Sequence, residues 1–153
     1  MSERAERARA LFNEGYNCAQ AVAVAFCDVT GLTESTAAKL VSGFGGGMAR
    51  MREVCGAASG IAFVMSVLYG YDDPQDFEGK KALYGETQKL LKQYEAENGS
   101  IVCRELLALQ QKGADSPVPE QRTAQYYKKR PCPELVYCAA EILDGYLKEN
   151  GIT

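Results

Sequence analysis

Any covalent or metal chemistry of this chain has to come from sulfur, because its 153 residues include six cysteines and no histidine. Without histidine there is no Ser-His-Asp triad, no Cys-His pair and no His-ligated metal. The Asp, Glu, Lys and Tyr residues form no cluster in the sequence that would suggest acid–base catalysis. Since cysteine thiolates attack disulfides and bind metals, we expect redox or metal-cluster chemistry.

Four of the cysteines fall where the sequence predicts that a helix begins. A helix N-terminus offers free N–H groups and the positive end of the helix dipole, which stabilise a thiolate and lower its pKa below the usual ~8.5. Arginines next to three of the four (Arg52, Arg104 and Arg130) add to this effect. For each one, the alternative is ordinary core packing of a small residue. The candidate ligands or reactive thiols are Cys18, Cys55, Cys103 and Cys132.

The remaining two cysteines, Cys27 and Cys138, lie inside apolar helical stretches, where we expect them to pack in the core. No CxxC pair occurs anywhere in the chain. This excludes a thioredoxin-type dithiol, a zinc ribbon or a ferredoxin run as a local motif. A four-sulfur site would therefore have to be assembled by the fold from distant segments.

One glycine-rich segment, residues 42–47, precedes the helix that carries Cys55. Its glycines permit positive φ angles and close backbone approach, so its amides could donate to bound sulfur, phosphate or a thiolate. It is neither a P-loop nor a dinucleotide fingerprint, because no GKS or GKT and no preceding strand occur. The alternative is a tight turn between two packed helices. The glycines predicted to line the site are Gly45, Gly46, Gly47 and Gly56.

The elements that must position these residues are all predicted to be helical, on the basis of capping and stop residues. Strand signals are absent. The sequence predicts one all-α domain over residues 1–153, a multi-helix bundle with cysteines at helix N-termini. The predicted helices cover residues 2–12, 17–31, 33–41, 55–68, 75–97, 100–110, 120–129 and 132–149, with a loop over 113–119.

Length and charge narrow the function classes further. A chain of this length buries a real core without staples. The net charge of −3 argues against a nucleic-acid binder or a polybasic membrane anchor. The uncharged run from Val54 to Tyr71 holds three glycines, so we expect a core helix rather than a membrane span. The charged amino terminus lacks a secretory signal, so we expect a cytoplasmic protein without structural disulfides.

Three segments resemble the C_GCAxxG_C_C family of redox-active proteins. They are Tyr16-Asn17-Cys18-Ala19-Gln20, the glycine-rich segment through Met48, and Cys55-Gly56-Ala57-Ala58-Ser59-Gly60. The resemblance continues through Gly99–Cys103 to the helix of Cys132. It implies that the family cysteines are Cys18, Cys55, Cys103 and Cys132. A related domain accompanies an iron–sulfur centre in split-Soret cytochromes, which favours an iron–sulfur cluster here.

Four functions remain open on the sequence. The first is an iron–sulfur electron-transfer protein with the four cysteines as ligands and a separate redox partner protein. The second is a thiol–disulfide oxidoreductase that uses one close cysteine pair. The third is a structural zinc site with four cysteine ligands, and the fourth is a helical interaction module with incidental cysteines. The sequence leaves open whether the protein is an enzyme, and any homo-oligomer would assemble through helix faces.

Overall fold

Ten α-helical segments and one short 3-10 helix, Ser42–Phe44, lie within residues 2–109 and 113–153, the part of the chain that the computed structural model describes. No strand occurs in these ranges, only one isolated antiparallel bridge between Val54 and Val102. The predicted all-α class is confirmed. The segments are α1 (Glu3–Asn13), α2 (Cys18–Ala25), α3 (Cys27–Thr30), α4 (Glu34–Leu40), α5 (Gly45–Met48), α6 (Gly56–Tyr69), α7 (Phe77–Asn98), α8 (Cys103–Leu106), α9 (Ala124–Lys129) and α10 (Cys132–Glu149).

The core forms where α1, α2, α6 and α10 pack against one another. Helix α2 is alanine-rich and almost wholly buried, so its neighbours approach closely. At the crossing with α6, a Cβ on Gly60 would lie 2.7 Å from Cβ of Val22. Because only glycine fits there, the two helices come together tightly and their N-termini converge.

Helix α7 lies outside this core and packs against α6 and α10. Of its 22 residues only Leu90 and Tyr94 are buried. Leu90 retains 3% of its exposure and Tyr94 none, although tyrosine carries a hydroxyl that needs a partner when it is buried. Helix α7 therefore places the hydroxyl oxygen of Tyr94 in the protein interior.

The predicted helix starts at Ser2, Asn17 and Thr33 are confirmed, each with a side-chain oxygen that accepts a bond from an amide in the first turn. The uncharged run after Val54 forms α6, a core helix as predicted. Within residues 2–109 and 113–153, the structure contains no helix whose length and apolar character would let it cross a membrane.

Two predicted helices differ in the structure because tertiary contacts interrupt them. The helix predicted over residues 17–31 breaks at Phe26, whose φ of −107° and ψ of 14° leave the helical range while its ring is fully buried. The guanidinium of Arg4 lies over this ring at 5.6 Å. Burial of Phe26 thus separates α2 from α3.

The helix predicted over residues 100–110 shrinks to α8. The amides of Cys103 and Arg104 bond to the carbonyls of Glu53 and Arg52, at 2.6 and 3.1 Å, so tertiary partners fix this segment before the helix starts. The end of the prediction, Gln110, lies outside the described residues. The helix predicted from Glu120 starts only at α9, and Cys132, predicted as a cap, is the first residue of α10 after the cap Pro131.

Candidate functional site

The four predicted cysteines all stand at the starts of helices, and the fold brings all four to the wall of one cavity of about 340 Å³. Three of them are the first residues of α2, α8 and α10, and the fourth is the N-cap of α6. All are free thiols. Cys18 begins α2, Cys103 begins α8 and Cys132 begins α10, whereas Cys55 is the N-cap of α6.

Cys18 is held by the cap of α2. The side chain of Asn17 accepts from the Gln20 amide at 2.9 Å, and the Gln20 side chain accepts from the Asn17 amide at 3.1 Å. This reciprocal pair satisfies two amides at the helix start. Asn17 also donates to the carbonyl of Ser42 at 3.1 Å, which ties Cys18 to the glycine-rich segment.

Cys55 and Cys103 are fixed side by side by the backbone around the Val54–Val102 bridge. The Cys55 amide donates to the carbonyl of Ile101 at 2.7 Å, and the Cys103 amide donates to the carbonyl of Glu53 at 2.6 Å. The two segments are 48 positions apart in sequence. Their pairing explains how distant cysteines without a local motif reach one site.

The predicted glycines provide the space that the cysteines need. A Cβ on Gly47 would lie 2.5 Å from Cβ of Cys103, and a Cβ on Gly56 would lie 3.0 Å from Cβ of Cys18. A Cβ on Gly45 would lie 2.4 Å from the Asn17 side chain. These glycines and Gly46 all line the cavity, as predicted, although their binding role stays a prediction.

The glycine-rich segment winds as a left-handed turn. Positive φ angles run from Gly46 and Gly47 (67° and 71°) through Met48, Ala49 and Arg50. Gly45, expected to share this freedom, has a φ of −68° and is glycine for space instead. Three successive non-glycine residues in this region cost about 1–2 kcal/mol each, so surrounding contacts must hold the turn in place.

Two buried side chains lie within hydrogen-bond distance of a site sulfur. The Tyr94 hydroxyl lies 3.3 Å from Sγ of Cys55, and a terminal nitrogen of Arg52 lies 3.6 Å from Sγ of Cys103. The other terminal nitrogen of Arg52 bonds to Asp115 at 3.0 Å, whereas its Nε has no partner among the residues that the structure describes. The sequence predicts that the charge of Arg52 acts on Cys55, but in the structure its guanidinium donates to the sulfur of Cys103.

Only one of the four thiols has a lowered pKa. The pKa of Cys132 falls because of the neighbouring Cys18 thiol, against the cost of burial, with help from Arg130, Arg122 and Arg52. The neighbouring Cys132, together with burial, raises the pKa of Cys18 well above its usual range.

Burial raises the pKa of the other two thiols. At Cys55 the effect of burial on the pKa is larger than the lowering by Tyr94 and by the amides of Ala57 and Ala58. At Cys103 it is larger than the lowering by Arg52. The expectation that helix N-termini lower the pKa of all four thiols was therefore wrong. Cys55 and Cys103 are 3% and 7% exposed, so a thiolate at either position loses its hydration, a cost that the sequence pattern does not contain.

A segment without helix, residues 113–123, covers one side of the cavity, and we call it the strap. Its Asp115 binds Arg50 and Arg52 at one end. At the other end, Arg122 donates to the carbonyls of Phe12 and Tyr16 at 2.7 and 2.9 Å. Sequence reasoning missed Tyr94, Asp115 and Arg122, because no local motif marks a residue whose partner lies some forty to a hundred positions away.

The two other cysteines do not line the cavity, and both pack, partly buried, against the core that the sequence predicted for them, although Cys27 begins α3 and does not lie inside a longer helix. Cys27 is half-buried against the core. Cys138 donates to Glu97 at 2.9 Å, and burial followed by this bond raises its pKa to about 12. Within the described ranges, no three His, Cys, Asp or Glu side chains are placed to hold a single metal ion.

The fold and the site together define an all-α protein whose candidate functional site consists of four cysteines around one cavity. The chain belongs to the family described as "Putative redox-active protein (C_GCAxxG_C_C)", whose model matches residues 16–146. The family's name gives Gly-Cys-Ala, whereas this chain has Cys55-Gly56-Ala57. No curated protein and no solved structure shows significant similarity to the chain.

Proposed function

We propose that this redox-family protein transfers electrons by means of an iron–sulfur cluster held by Cys18, Cys55, Cys103 and Cys132. The observation that carries the proposal is the convergence of these four cysteines on one cavity from four separate helix starts. Four thiolates are the usual ligand set of [2Fe–2S] and [4Fe–4S] clusters. When bound, such a cluster would supply one-electron transfer. The proposal includes a redox partner protein and a reducing, cytoplasmic location.

The residues around the cysteines fit an anionic group in the cavity. Arg52 is 4% exposed, yet within residues 2–109 and 113–153 its Nε has no partner and its terminal nitrogens bond only to Asp115 and to the Cys103 sulfur. A buried guanidinium is costly unless it is fully paired. The absent Cβ atoms at Gly47 and Gly56 leave Cys103 and Cys18 room at the wall. Both features suit a negatively charged sulfur-ligated group.

A structural zinc ion makes a different demand on the same residues. It needs all four sulfurs about 2.3 Å from one point. No group of this kind exists among the residues that the structure describes, and a chain of this length is expected to bury a core without a metal staple. Zinc is therefore an outcome that the test below must distinguish, and not the function we propose.

A second candidate function rests on Cys18 and Cys132, which line the same cavity and whose thiol pKa values are shifted in opposite directions. The neighbouring Cys18 and three arginines lower the pKa of Cys132, whereas Cys132 and burial raise the pKa of Cys18. Such a pair suits thiol–disulfide exchange with a small disulfide. The Cys132 thiolate would attack one sulfur and release a thiol, and Cys18 would then displace the second thiol and leave a Cys18–Cys132 disulfide. Two electrons and two protons pass to the small disulfide.

The deciding experiment measures iron, acid-labile sulfide and zinc, together with the visible spectrum, on protein purified without oxygen. We expect a brown protein with matching iron and sulfide. Changing Cys18, Cys55, Cys103 or Cys132 to Ser should remove most of the iron. The matched controls Cys27→Ser and Cys138→Ser, outside the cavity, should keep it.

Other outcomes would redirect the proposal. Zinc without sulfide would identify a structural metal site. A colourless, metal-free protein, even after reconstitution with iron and sulfide, would exclude the cluster. In that case a Cys18–Cys132 disulfide, formed with oxidised glutathione and located by mass spectrometry, would establish the second candidate.

A further inference from the structure

Two of the four sulfurs each have a side-chain hydrogen-bond partner of their own. Tyr94 reaches Cys55 at 3.3 Å from α7, and Arg52 reaches Cys103 at 3.6 Å from the segment after α5. For Cys18 and Cys132, each thiol instead influences the pKa of the other. All four cysteines line the same cavity, but the surroundings of their sulfurs differ, so the sulfurs form two classes.

Both donors are too deeply buried to be satisfied by water. Tyr94 is 0% exposed, and within the described ranges its hydroxyl bonds only to the Cys55 sulfur. Either group can be the donor in this contact while Cys55 is a thiol, whereas a sulfur that carries negative charge can only accept from the hydroxyl. A neutral thiol is a weak acceptor. A buried hydroxyl whose only partner is a thiol is therefore poorly satisfied unless that sulfur carries negative charge.

Arg52 gives the same indication independently. Its backbone has a φ of 61°, and its Cα would lie 2.8 Å from a Cβ on Gly47. A strained, tightly packed backbone position fixes where the guanidinium goes. The side chain is held on its far side by Asp115, so its second terminal nitrogen points to Cys103. The residue is placed to meet negative charge on that sulfur.

We propose that Tyr94 and Arg52 are positioning residues that set the reduction potential of the site through hydrogen bonds to the sulfurs of Cys55 and Cys103. The inference rests on the proposed function. Reduction adds one negative charge to the site, and a donor to sulfur gains strength as that charge grows. Each donor therefore favours the reduced state.

The test compares midpoint potentials of the anaerobic, iron-loaded protein and its variants. Tyr94→Phe removes one oxygen and keeps the ring, and Arg52→Met removes the charge. We expect each change to lower the equilibrium constant for reduction about tenfold, which is a potential about 59 mV more negative for one electron. Arg52→Lys should restore most of the Arg52 effect. The double variant should show the sum of the two shifts.

The matched control is Tyr127→Phe, whose hydroxyl bonds to the carbonyl of Asn13 at 3.3 Å and not to sulfur. Its potential should equal that of the wild type. A merely structural role for Tyr94 would lower the melting temperature of Tyr94→Phe and leave the potential unchanged. Because Arg52→Met alters a strained, buried position, Tyr94→Phe is the decisive variant if the arginine variant fails to fold.

The outcomes separate this inference from the function on which it rests. Iron and sulfide at the wild-type level, with an unchanged potential in Tyr94→Phe and Arg52→Met, would overturn the inference and leave the cluster standing. A shift in one variant alone would retain that donor and reject the other. A wild-type protein that never holds iron and sulfide would overturn the proposed function, and the assignment of both donors would fall with it.

Discussion

Among the glycines, Gly47 is the one at which an added Cβ would lie nearest to a site cysteine. An alanine there would place its Cβ 2.5 Å from Cβ of Cys103 and 2.8 Å from the backbone of Arg52 and Glu53. Its φ of 71° adds backbone strain of about 1 kcal/mol or more. We expect Gly47→Ala to lower the free energy of unfolding by about 3 kcal/mol, since overpacking adds to the strain.

Gly31 offers the matched control for this prediction. Its φ of 76° is nearly the same, but a Cβ there would meet nothing within 4 Å. Gly31→Ala should therefore cost only the backbone strain, about 1–2 kcal/mol. Urea unfolding of both variants gives the comparison. Equal losses of unfolding free energy in the two variants would show that the contact of the added Cβ with Cys103 does not contribute to the destabilisation.

At the scale of single residues, the sequence predicted what local chemistry determines. Cys18 and Cys132 were placed at helix starts because an asparagine cap and an adjacent proline are readable from neighbours in the chain. Tyr94 was not found, because its meeting with Cys55 depends on how α7 packs. The direction of the thiol pKa values was also wrong for three of the four, since burial is a property of the packed core.

At the scale of elements, the start of α2 links the glycine-rich segment to the site. Asn17 makes the capping bond to the Gln20 amide and a further bond to the carbonyl of Ser42. We expect Asn17→Ala to lower the free energy of unfolding by about 2 kcal/mol, one part from the lost cap and one from the lost tie. The same variant should hold less iron, because Cys18 directly follows the cap.

Thr33 provides the control for an ordinary cap. It accepts from the Thr36 amide at 3.1 Å at the start of α4, and it does not line the cavity. Thr33→Ala should cost about 1 kcal/mol and leave the iron content unchanged. If both variants lost iron equally, the effect of Asn17 would be general destabilisation and not the placement of Cys18.

Helix starts were more predictable than helix ends for a physical reason. A start is written in the cap and first turn, whereas the breaks at Phe26 and before α8 follow from a buried ring and from amides taken by Arg52 and Glu53. The strap was expected as a loop over 113–119. Its extension to residue 123 follows from Arg122, which bonds to the end of α1 and delays α9.

At the scale of the whole molecule, the two ends of the chain are joined through one buried carboxylate. Asp144 on α10 is 3% exposed, and it accepts from Ser2 at 2.7 Å and from Lys148 at 3.0 Å, as well as from Arg4. Burial raises the pKa of Asp144, but these three donors outweigh it and leave the pKa below the ordinary value of 3.8. The contact between α1 and α10 therefore depends on the ionised form.

The pH dependence of stability follows from this lowered pKa. A group with a lowered folded-state pKa contributes stability that is complete above its unfolded pKa and is lost as the pH falls through the folded value. We expect Asp144→Asn to cost about 3 kcal/mol at about pH 7, since it leaves Arg4 without a buried partner. As the pH falls below the ordinary carboxyl pKa of 3.8, the gap to the wild type should narrow, because the wild-type carboxylate takes up its proton.

Asp28 is the control, because it binds the same Arg4 from the exposed side, with 59% of its side chain open to solvent. Asp28→Asn should cost less than about 1 kcal/mol. Urea unfolding across this pH range measures all three proteins. A gap between wild type and Asp144→Asn that stayed constant down to the lowest pH would mean that the carboxylate charge does not join the termini. The helix contact would then rest on apolar packing alone.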